Sequence, residues 1–562
     1  MINEKQKLVH KERIDFHKTS DPFISAGISG LIKYCEKRKE EKNDIEFEIN
    51  KNVLTISAKN LNEVLKEIYY DMGRDYYDTS GQKQIEKNEG FYYDEVKGKF
   101  FRFPKVKPRG LALLIHSGQP TPKATTAKKK DIKKEKPVLY QRIIDYCKKG
   151  KIPFKDDSKG KIWINSRNTN VPSIEELQIS IGNKSCSICG NKFKKLYESV
   201  SYSPFIGGSS AGNNYVSMLK STEKICWKCL YIQRFSPTFA FYKYSGDWNV
   251  FIFSSESIDS VQKINTNLLK TLFYDKDRLI KKEYLQNFDY YKFEKDKETD
   301  YFKHNAEQLF MLLFTIYQQM EIAKPKLIEK NEWLPFQETV YYKTEVFYIR
   351  SKPYSGTFRP LKAEKFTDIH YIFSVFKVIE QNNMNIQHLL WALKLNDGDD
   401  RTVLRNRWAD HLLNRKPTIK TCEEIVWKNF MNKNFHGNFY QILNWLNIYE
   451  SIINYGGNKH MNNEIRELAV NLGKQLGYFN PKIEDNPNIR KGKLIQLRKA
   501  KNLKQFNEVV VSFLFRYNTL KISSNYVQLI NEQNFDYFRQ FTLISALNTF
   551  NSKQKKENQN EG

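Results

Sequence analysis

Strict alternation in Ile45-Glu46-Phe47-Glu48-Ile49, followed by Asn50-Lys51-Asn52 and then Val53-Leu54-Thr55-Ile56, predicts a β-hairpin. Upstream, Ser20-Asp21-Pro22 supplies a polar cap followed by proline, the signature of a helix start, and predicts a helix over residues 23–39. Leu61, Val64, Leu65 and Ile68 recur at helical spacing and predict a second helix over 61–70. Aromatic-rich stretches at 239–253 and 340–350 have strand character, and 310–322 forms an apolar helical stretch. From about residue 365 the pattern is helical nearly to the end, with Leu389, Leu390, Leu393, Ile442, Leu443 and Leu446 on its apolar positions. The tail 552–562 is polar and expected to fray, and no fixed-period repeat runs through the chain.

These elements predict an α+β fold: a mixed N-terminal α/β domain carrying a four-cysteine, zinc-ribbon-like insertion, followed by a C-terminal helical bundle. The expected boundaries are 1–180 for the first α+β region, 181–235 for the zinc-binding insertion, 236–375 for the rest of the N-terminal domain and 376–562 for the bundle. The bundle boundary falls between 365 and 385. Residues 117–137 hold seven lysines, three prolines and almost nothing apolar, which predicts a mobile basic loop. A solvated linker and a nucleic-acid contact both fit that composition.

Composition narrows the function classes. Of 562 residues, 92 are Lys or Arg and 64 Asp or Glu, a net charge of +28, while hydrophobic residues make up 40%. The apolar content excludes a wholly disordered basic protein, and the charge makes a polyanion the default partner. AT-rich codon usage also inflates Lys, Asn, Ile, Tyr and Phe, so the clustering of charge matters more than its total. Residues 1–13 lack an apolar stretch, and the runs at 111–115 and 509–515 fall far short of the roughly 20 residues that span a bilayer. Seven cysteines do not make a disulfide scaffold. The expectation is a cytoplasmic protein with no membrane partner.

Four of those cysteines form two close pairs, Cys186-Ser187-Ile188-Cys189 and Cys226-Trp227-Lys228-Cys229. Two such pairs close a tetrahedral thiolate site with no position left for water, so the expected cofactor is a structural Zn2+. Redox chemistry would need one pair on a thioredoxin-like unit rather than two complementary ones. Cys35, Cys147 and Cys422 stand alone as ordinary residues.

The 36 residues between the pairs include Lys194, Lys195 and a stretch containing Gly207, Gly208, Ser209, Asn213 and Asn214. Gly and Ser allow close backbone approach and Asn can read base edges, so a duplex-groove probe is one reading and an exposed turn the other. Arg490, Lys491, Lys493, Arg498, Lys499, Lys501 and Lys504 form a second cluster without an acid between them. A charge run is usually only a solvated face, but with no i,i+4 partner available these charges are expected to form a phosphate-tracking helix face. Catalytic signals are thin. Asp397-Gly398-Asp399-Asp400 does not fit a calcium loop, Asp410-His411 has no second ligand pair, and no phosphate loop or H-E-x-x-H is present. No catalytic residue is expected, and the chain is read as a binding protein rather than an enzyme.

Three of these stretches resemble one family. Thr19-Ser20-Asp21-Pro22-Phe23-Ile24-Ser25-Ala26-Gly27 is similar to the amino-terminal T-G-D-P-F-V-D-A-G stretch of CRISPR-associated large subunits, with Ser20 where the family often has Gly. The paired C-x-x-C motifs followed by Phe235-Ser236-Pro237 resemble the CXXC–CXXC family of type I-B Cascade, and residues 493–506 resemble its C-terminal bundle. The resemblance implies a non-catalytic subunit that senses the PAM, helps open the duplex and stabilises the R-loop while a guide RNA pairs with target double-stranded DNA. It implies backbone, guide-end and small subunits as partners, and a helicase–nuclease or transposition proteins downstream. No PAM-reader motif of the family is shared here, so it is on chemistry that the Gly/Ser/Asn loop is expected to meet the PAM duplex, with Lys194 and Lys195 on phosphates. Gln82, Lys83 and Gln84 are candidates for strand separation, or else an ordinary surface turn. The basic cluster from Arg490 to Lys504 would hold the displaced strand.

The family resemblance also raises an internally initiated small subunit. Gly456-Gly457 codons can spell a ribosome-binding sequence upstream of Met461, with Met431 as a rival start and a chance Gly-Gly turn as the alternative. A zinc-stabilised nucleic-acid enzyme outside CRISPR, such as a nuclease or an RNA-modifying protein, is the rival function class, and a structural scaffold is a third.

Overall fold

The computed structural model describes residues 11–76, 91–95, 98–102, 125–152, 154, 160–164, 182–198, 224–245, 247–272, 286–287, 302–334, 337–338, 344–354, 357–396, 398, 401–432, 439–454, 463–478, 486–517, 521–523 and 525–560. The fold is α+β, with a four-cysteine cluster and a helical C-terminal region. The chain divides into two compact units, one of Met1–Asp289 with Gln318–Ile369, the other of Tyr290–Tyr317 with His370–Gly562.

The first unit opens with β1 (Glu12–His17), α1 (Pro22–Lys42), β2 (Glu46–Asn50), β3 (Val53–Ala58) and α2 (Leu61–Tyr76). The predicted hairpin is present: β2 and β3 pair antiparallel, β1 adds to β3, and the sheet order is β1-β3-β2. Helix α1 starts where the cap signal placed it. The Asp21 carboxylate accepts hydrogen bonds from the Phe23 and Ile24 N–H groups at 2.7 and 3.1 Å, and Pro22 fills the first turn. Its end is marked by Asn43 in the left-handed region, φ 50°, with its N–H on the Lys39 carbonyl. A helix buried over most of its circumference needs partners on several sides, and α1 has them in the core it shares with Phe16, Ile56, Tyr69, Ile232 and Val250.

A smaller sheet follows, built from β4 (Phe91–Asp94), β5 (Lys99–Arg102), β6 (Thr125–Lys128) and β7 (Lys161–Ile164) in the order β5-β4-β7-β6. Helices α3 (Lys129–Glu135) and α4 (Pro137–Lys149) cover it, burying Ile132, Leu139 and Ile143 against Phe91 and Ile162. This corrects in part the loop expected over 117–137: residues 125–135 are strand and helix and a further helix starts at 137, while 117–124 lie outside the described residues. Ile132 is the single strong apolar anchor there, and Lys129 is itself buried, its ammonium 4.4 Å from the centre of the Phe154 ring. A lysine stem used as core material does not register in a hydrophobic pattern.

Short strands β8 (Lys184–Ser185), β9 (Lys192–Phe193), β10 (Tyr197–Glu198) and β11 (Lys224–Ile225) lead into α5 (Trp227–Gln233) and a 3-10 turn, Ser236–Thr238. The unit closes with β12 (Phe241–Ser245), β13 (Asp247–Ser254), α6 (Ile258–Leu272), β14 (Gln286–Asn287), β15 (Glu345–Tyr354) and β16 (Thr357–Phe366), the strands forming a sheet ordered β14-β12-β13-β15-β16.

The second unit takes the part of α7 (Asn305–Glu329) up to Tyr317 and then α8 (Ile369–Gln381) from His370 on, α9 (Ile386–Ala392), α10 (Val403–Leu413), α11 (Ile419–Met431) and α12 (Tyr440–Asn454). It continues with α13 (Asn463–Gly477), α14 (Pro487–Lys499), α15 (Leu503–Arg516), α16 (Tyr526–Leu529) and α17 (Phe535–Asn560). Phe310, Phe376 and Trp408 form one aromatic cluster in its core, with ring centres 5.3–5.5 Å apart. Helices α13 and α17 cross closely enough that a Cβ at Gly477 would stand 2.0 Å from the Ala546 carbonyl oxygen. No helix among the described residues is long and apolar enough to cross a membrane.

Candidate metal centre

The first cysteine pair sits on a tight turn joining β8 to β9. The Cys186 N–H donates to the Asn191 carbonyl and the Gly190 N–H to the Cys186 carbonyl, both at 2.9 Å. Gly190 has φ +72°, which a side chain would strain, so glycine after the second cysteine is what lets the chain turn back. The second pair begins a helix. Cys226 caps α5, its Sγ accepting from the Cys229 N–H at 3.5 Å, and its own N–H points to Cys186 Sγ at 3.3 Å.

The two pairs meet. Cys186 Sγ lies 3.8 Å from Cys229 Sγ, Cys189 Sγ lies 3.8 Å from Cys226 Sγ, and all four sulfurs fall within 4.8 Å of one another. A tetrahedron with metal–sulfur bonds of about 2.3 Å has sulfur–sulfur edges of about 3.8 Å, so the observed set can hold a metal ion with little adjustment. Cys186, Cys226 and Cys229 are buried and Cys189 partly so. Four protein ligands close the shell, which suits a structural centre rather than a catalytic one.

As thiols the four groups perturb one another strongly. Hydrogen bonds from Cys189, Cys226 and Cys229 pull the Cys186 pKa far below the ordinary thiol range. Cys189 is pushed up by its bond with Cys186 but pulled down further by Cys226 and Cys229, ending at about 7. Donation to the same cluster, together with burial, pushes Cys226 and Cys229 up. Ser187 escaped the sequence reading. Its hydroxyl donates to the Lys224 carbonyl at 2.9 Å and its N–H to the same oxygen at 3.1 Å, tying the first turn to the strand that delivers the second. No spacing rule marks such a residue.

The centre is not a peripheral appendage. Trp227, Leu230, Tyr231 and Ile232 of α5 belong to the same core as α1. A Cβ at Gly27 would stand 2.2 Å from the Ile232 carbonyl oxygen, and one at Gly30 would stand 2.2 Å from Thr238 Oγ1. The helix beginning Asp21-Pro22-Phe23 and the segment running from Cys226 to Pro237 are therefore in backbone-level contact. Phe235 packs on Tyr34, Tyr69 and Tyr231, with ring centres 5.2–6.1 Å apart.

The other expected site residues fare differently. Gly207, Gly208, Ser209, Asn213 and Asn214 lie outside the described residues, as do Gln82, Lys83, Gln84 and Met461. Lys194 and Lys195 are exposed just beyond β9, the Lys195 ammonium 5.2 Å from the centre of the Tyr197 ring.

In the C-terminal basic cluster the expected phosphate-tracking face is corrected in part. Arg490 is 2% exposed. Its guanidinium donates to the carbonyls of Gln475 at 3.4 Å, Leu476 at 3.1 Å and Tyr478, and stacks 4.0 Å over the Tyr517 ring. It satisfies the open carbonyls at the end of α13, work that a capping residue would otherwise do. Lys493 donates to the carbonyl of Ser512 and, at 3.0 Å, to its hydroxyl, and burial lowers its pKa. Arg498 donates to Glu423 on α11 at 3.1 Å and lies 4.4 Å over the Trp427 ring. Lys491 is half-buried over Phe430, while Lys499, Lys501 and Lys504 remain exposed. The absence of local acids was real, but the partners are carbonyls, rings and one distant glutamate.

Among the described residues, the four cysteines are the one cluster of His, Cys, Asp and Glu side chains placed to hold a metal. His411 instead sets its Nδ1 3.2 Å from the Pro417 carbonyl. No protein-family model matches this chain, and no curated protein sequence matches it either.

Proposed function

We propose that this chain is the large subunit of a type I-B CRISPR Cascade effector, a cytoplasmic, zinc-stapled, non-catalytic binder of guide RNA and target double-stranded DNA. One observation carries the reading. Two of the sequence stretches on which the resemblance rests, Asp21 to Gly27 and Cys226 to Pro237, pack directly against each other at Gly27 and Ile232. A shared architectural contact is a reason for such motifs to occur together in one chain, and a chance coincidence of two short patterns supplies none. The net charge of +28 suits a polyanion partner.

In this reading Zn2+ on Cys186, Cys189, Cys226 and Cys229 fixes the ends of the intervening segment. Gly207, Gly208, Ser209, Asn213 and Asn214, with Lys194 and Lys195, meet the PAM duplex, and the exposed Lys499, Lys501 and Lys504 meet the displaced strand. A small subunit started at Met461 would comprise α13 to α17. Co-purification with the neighbouring operon products and a guide RNA tests the reading. A stable ribonucleoprotein containing this chain is expected, together with a short C-terminal product when natural codons are kept. Metal-dependent turnover of nucleic acid by the chain alone would instead favour the rival nucleic-acid enzyme.

A further inference from the structure

In the second unit, α13 and the chain at residues 521–523 and 525–529 line a cleft of about 560 Å³, within the roughly 300–1,000 Å³ of pockets that take small ligands. Two polar contacts define its ends. At one, Gln475 Oε1 accepts from the Lys521 N–H at 2.8 Å, and at the other Asn525 Nδ2 lies 3.5 Å from Glu464 Oε1. The floor between them is apolar, with Leu472 3% and Tyr526 7% exposed. The Tyr526 hydroxyl donates to Asn507 Oδ1 at 2.6 Å, so Tyr526 offers the cleft its ring rather than its donor.

The charges along this cleft are sorted by sign. Glu464 and Glu467 line the Asn525 end, and Lys474 and Lys521 line the Gln475 end. All four are exposed, and no ion pair among the described residues holds any of them. Glu467 and Lys474 stand seven positions apart on one helix, about 10 Å at about 1.5 Å per residue, too far to pair with each other. Asn471 lines the cleft midway between them, with its side chain exposed.

A ligand matched to both ends carries an anion at the lysines and N–H donors at the carboxylates, with a body that packs on Leu472 and the Tyr526 ring. A uniformly acidic or basic peptide would meet its own sign at one end. A nucleotide has the required order of phosphate, sugar and base. Carboxylates accept from the cytosine amino group, amide side chains pair with base edges, and aromatic rings pack on bases.

We infer that the cleft takes one nucleotide of an unpaired DNA strand, with the strand's backbone at Lys474 and Lys521 and an amino-bearing base at Glu464 and Glu467. A base still paired in a duplex cannot enter such a site. The inference rests on the proposed binding of a displaced strand and adds a base-reading site to it, on residues outside the basic cluster of α14.

The test measures binding of short single-stranded cytosine or thymine oligonucleotides to the full-length, metal-loaded chain at neutral pH. Wild type should favour cytosine about tenfold, because thymine turns a carbonyl towards the carboxylates. E464Q/E467Q should lose that preference while binding thymine strands no less tightly. K474Q/K521Q should flatten the slope of log affinity against log salt by about 1.4, the loss of two single-strand phosphate contacts. K377Q/K420Q removes the same charge from exposed positions outside the cleft and should keep the wild-type slope. An equal flattening in that control, or a cytosine preference that survives E464Q/E467Q, would overturn the assignment. Both cleft variants should melt with wild type, and a lowered melting temperature would make these charges structural and overturn it as well. Tighter binding of ribose strands would give the site to RNA and overturn the DNA assignment. Wild type that does not discriminate the bases would reject the cleft and leave the functional reading to stand on co-purification. The expected discrimination in a chain that joins no guide-loaded assembly would do the reverse.

Discussion

The inward and outward cations of helix α14 all lack acids beside them in sequence, yet the fold places them in opposite ways. On α14, Arg490 and Lys493 are engaged with carbonyls and rings and Arg498 with Glu423, so three of the helix's five cations work inside the bundle. Lys499, like Lys501 and Lys504 just beyond the helix, is instead exposed. A charge count on one element therefore does not identify an anion-binding surface. What identifies it is whether the fold has already matched the charges.

The cysteine centre sets the upper end of the scale against which that contrast can be measured. Cys226→Ser, or stripping the metal with a chelator, should cost the first unit its fold, since structural zinc contributes on the order of 10 kcal/mol, comparable to the whole stability of a domain. One metal ion per chain by elemental analysis, and loss of the near-ultraviolet signal of the buried Trp227 on chelation, are the expected readings. Retention of that signal after the metal is gone would remove the centre from the core.

Arg490→Met comes next. It leaves the carbonyls at the end of α13 without donors, and the second unit should lose about 3 kcal/mol in urea unfolding. Lys499→Gln on the same helix should change stability by less than about 0.5 kcal/mol and act only on nucleic-acid affinity. If the two variants behaved alike, the inward and outward faces of α14 would not be distinct.

A pH series sharpens the same point for a buried acid. Glu450 is 3% exposed, and burial pushes its pKa up to about 7. Because the folded value lies above the unfolded one, the native state binds the extra proton. Stability should therefore fall as pH rises from about 4.5 through about 7, by about 3 kcal/mol in all. Cys422, Tyr449, Tyr537 and Arg466 lie within its electrostatic reach. Glu450→Gln should abolish that slope in urea unfolding at pH 5 to 8, and an unchanged slope would assign it to another group.

Local chemistry was legible before the structure. The Asp21-Pro22 start of α1, the alternation that became β2 and β3, and the cysteine spacing each act within a few residues, and each appears in the fold. What was illegible depends on distant chain. Gly27 and Gly30 are poor helix residues whose purpose lies in the Ile232 carbonyl and in Thr238. Arg490 finds carbonyls on another helix, and Lys129 serves as core material under Phe154. The second cysteine pair was expected on a ribbon and instead opens a buried helix, because residues 227–233 are apolar enough to join the core of α1.

The central claim, that the chain is the PAM-sensing subunit of a guide-directed effector, is tested most directly by selection. A library of guide-matched duplexes with randomised flanks is exposed to the assembled complex with and without this chain, and the retained molecules are sequenced. The account predicts enrichment of a short flanking motif only when the chain is present. Retention without flank preference, or the same preference in its absence, would contradict it.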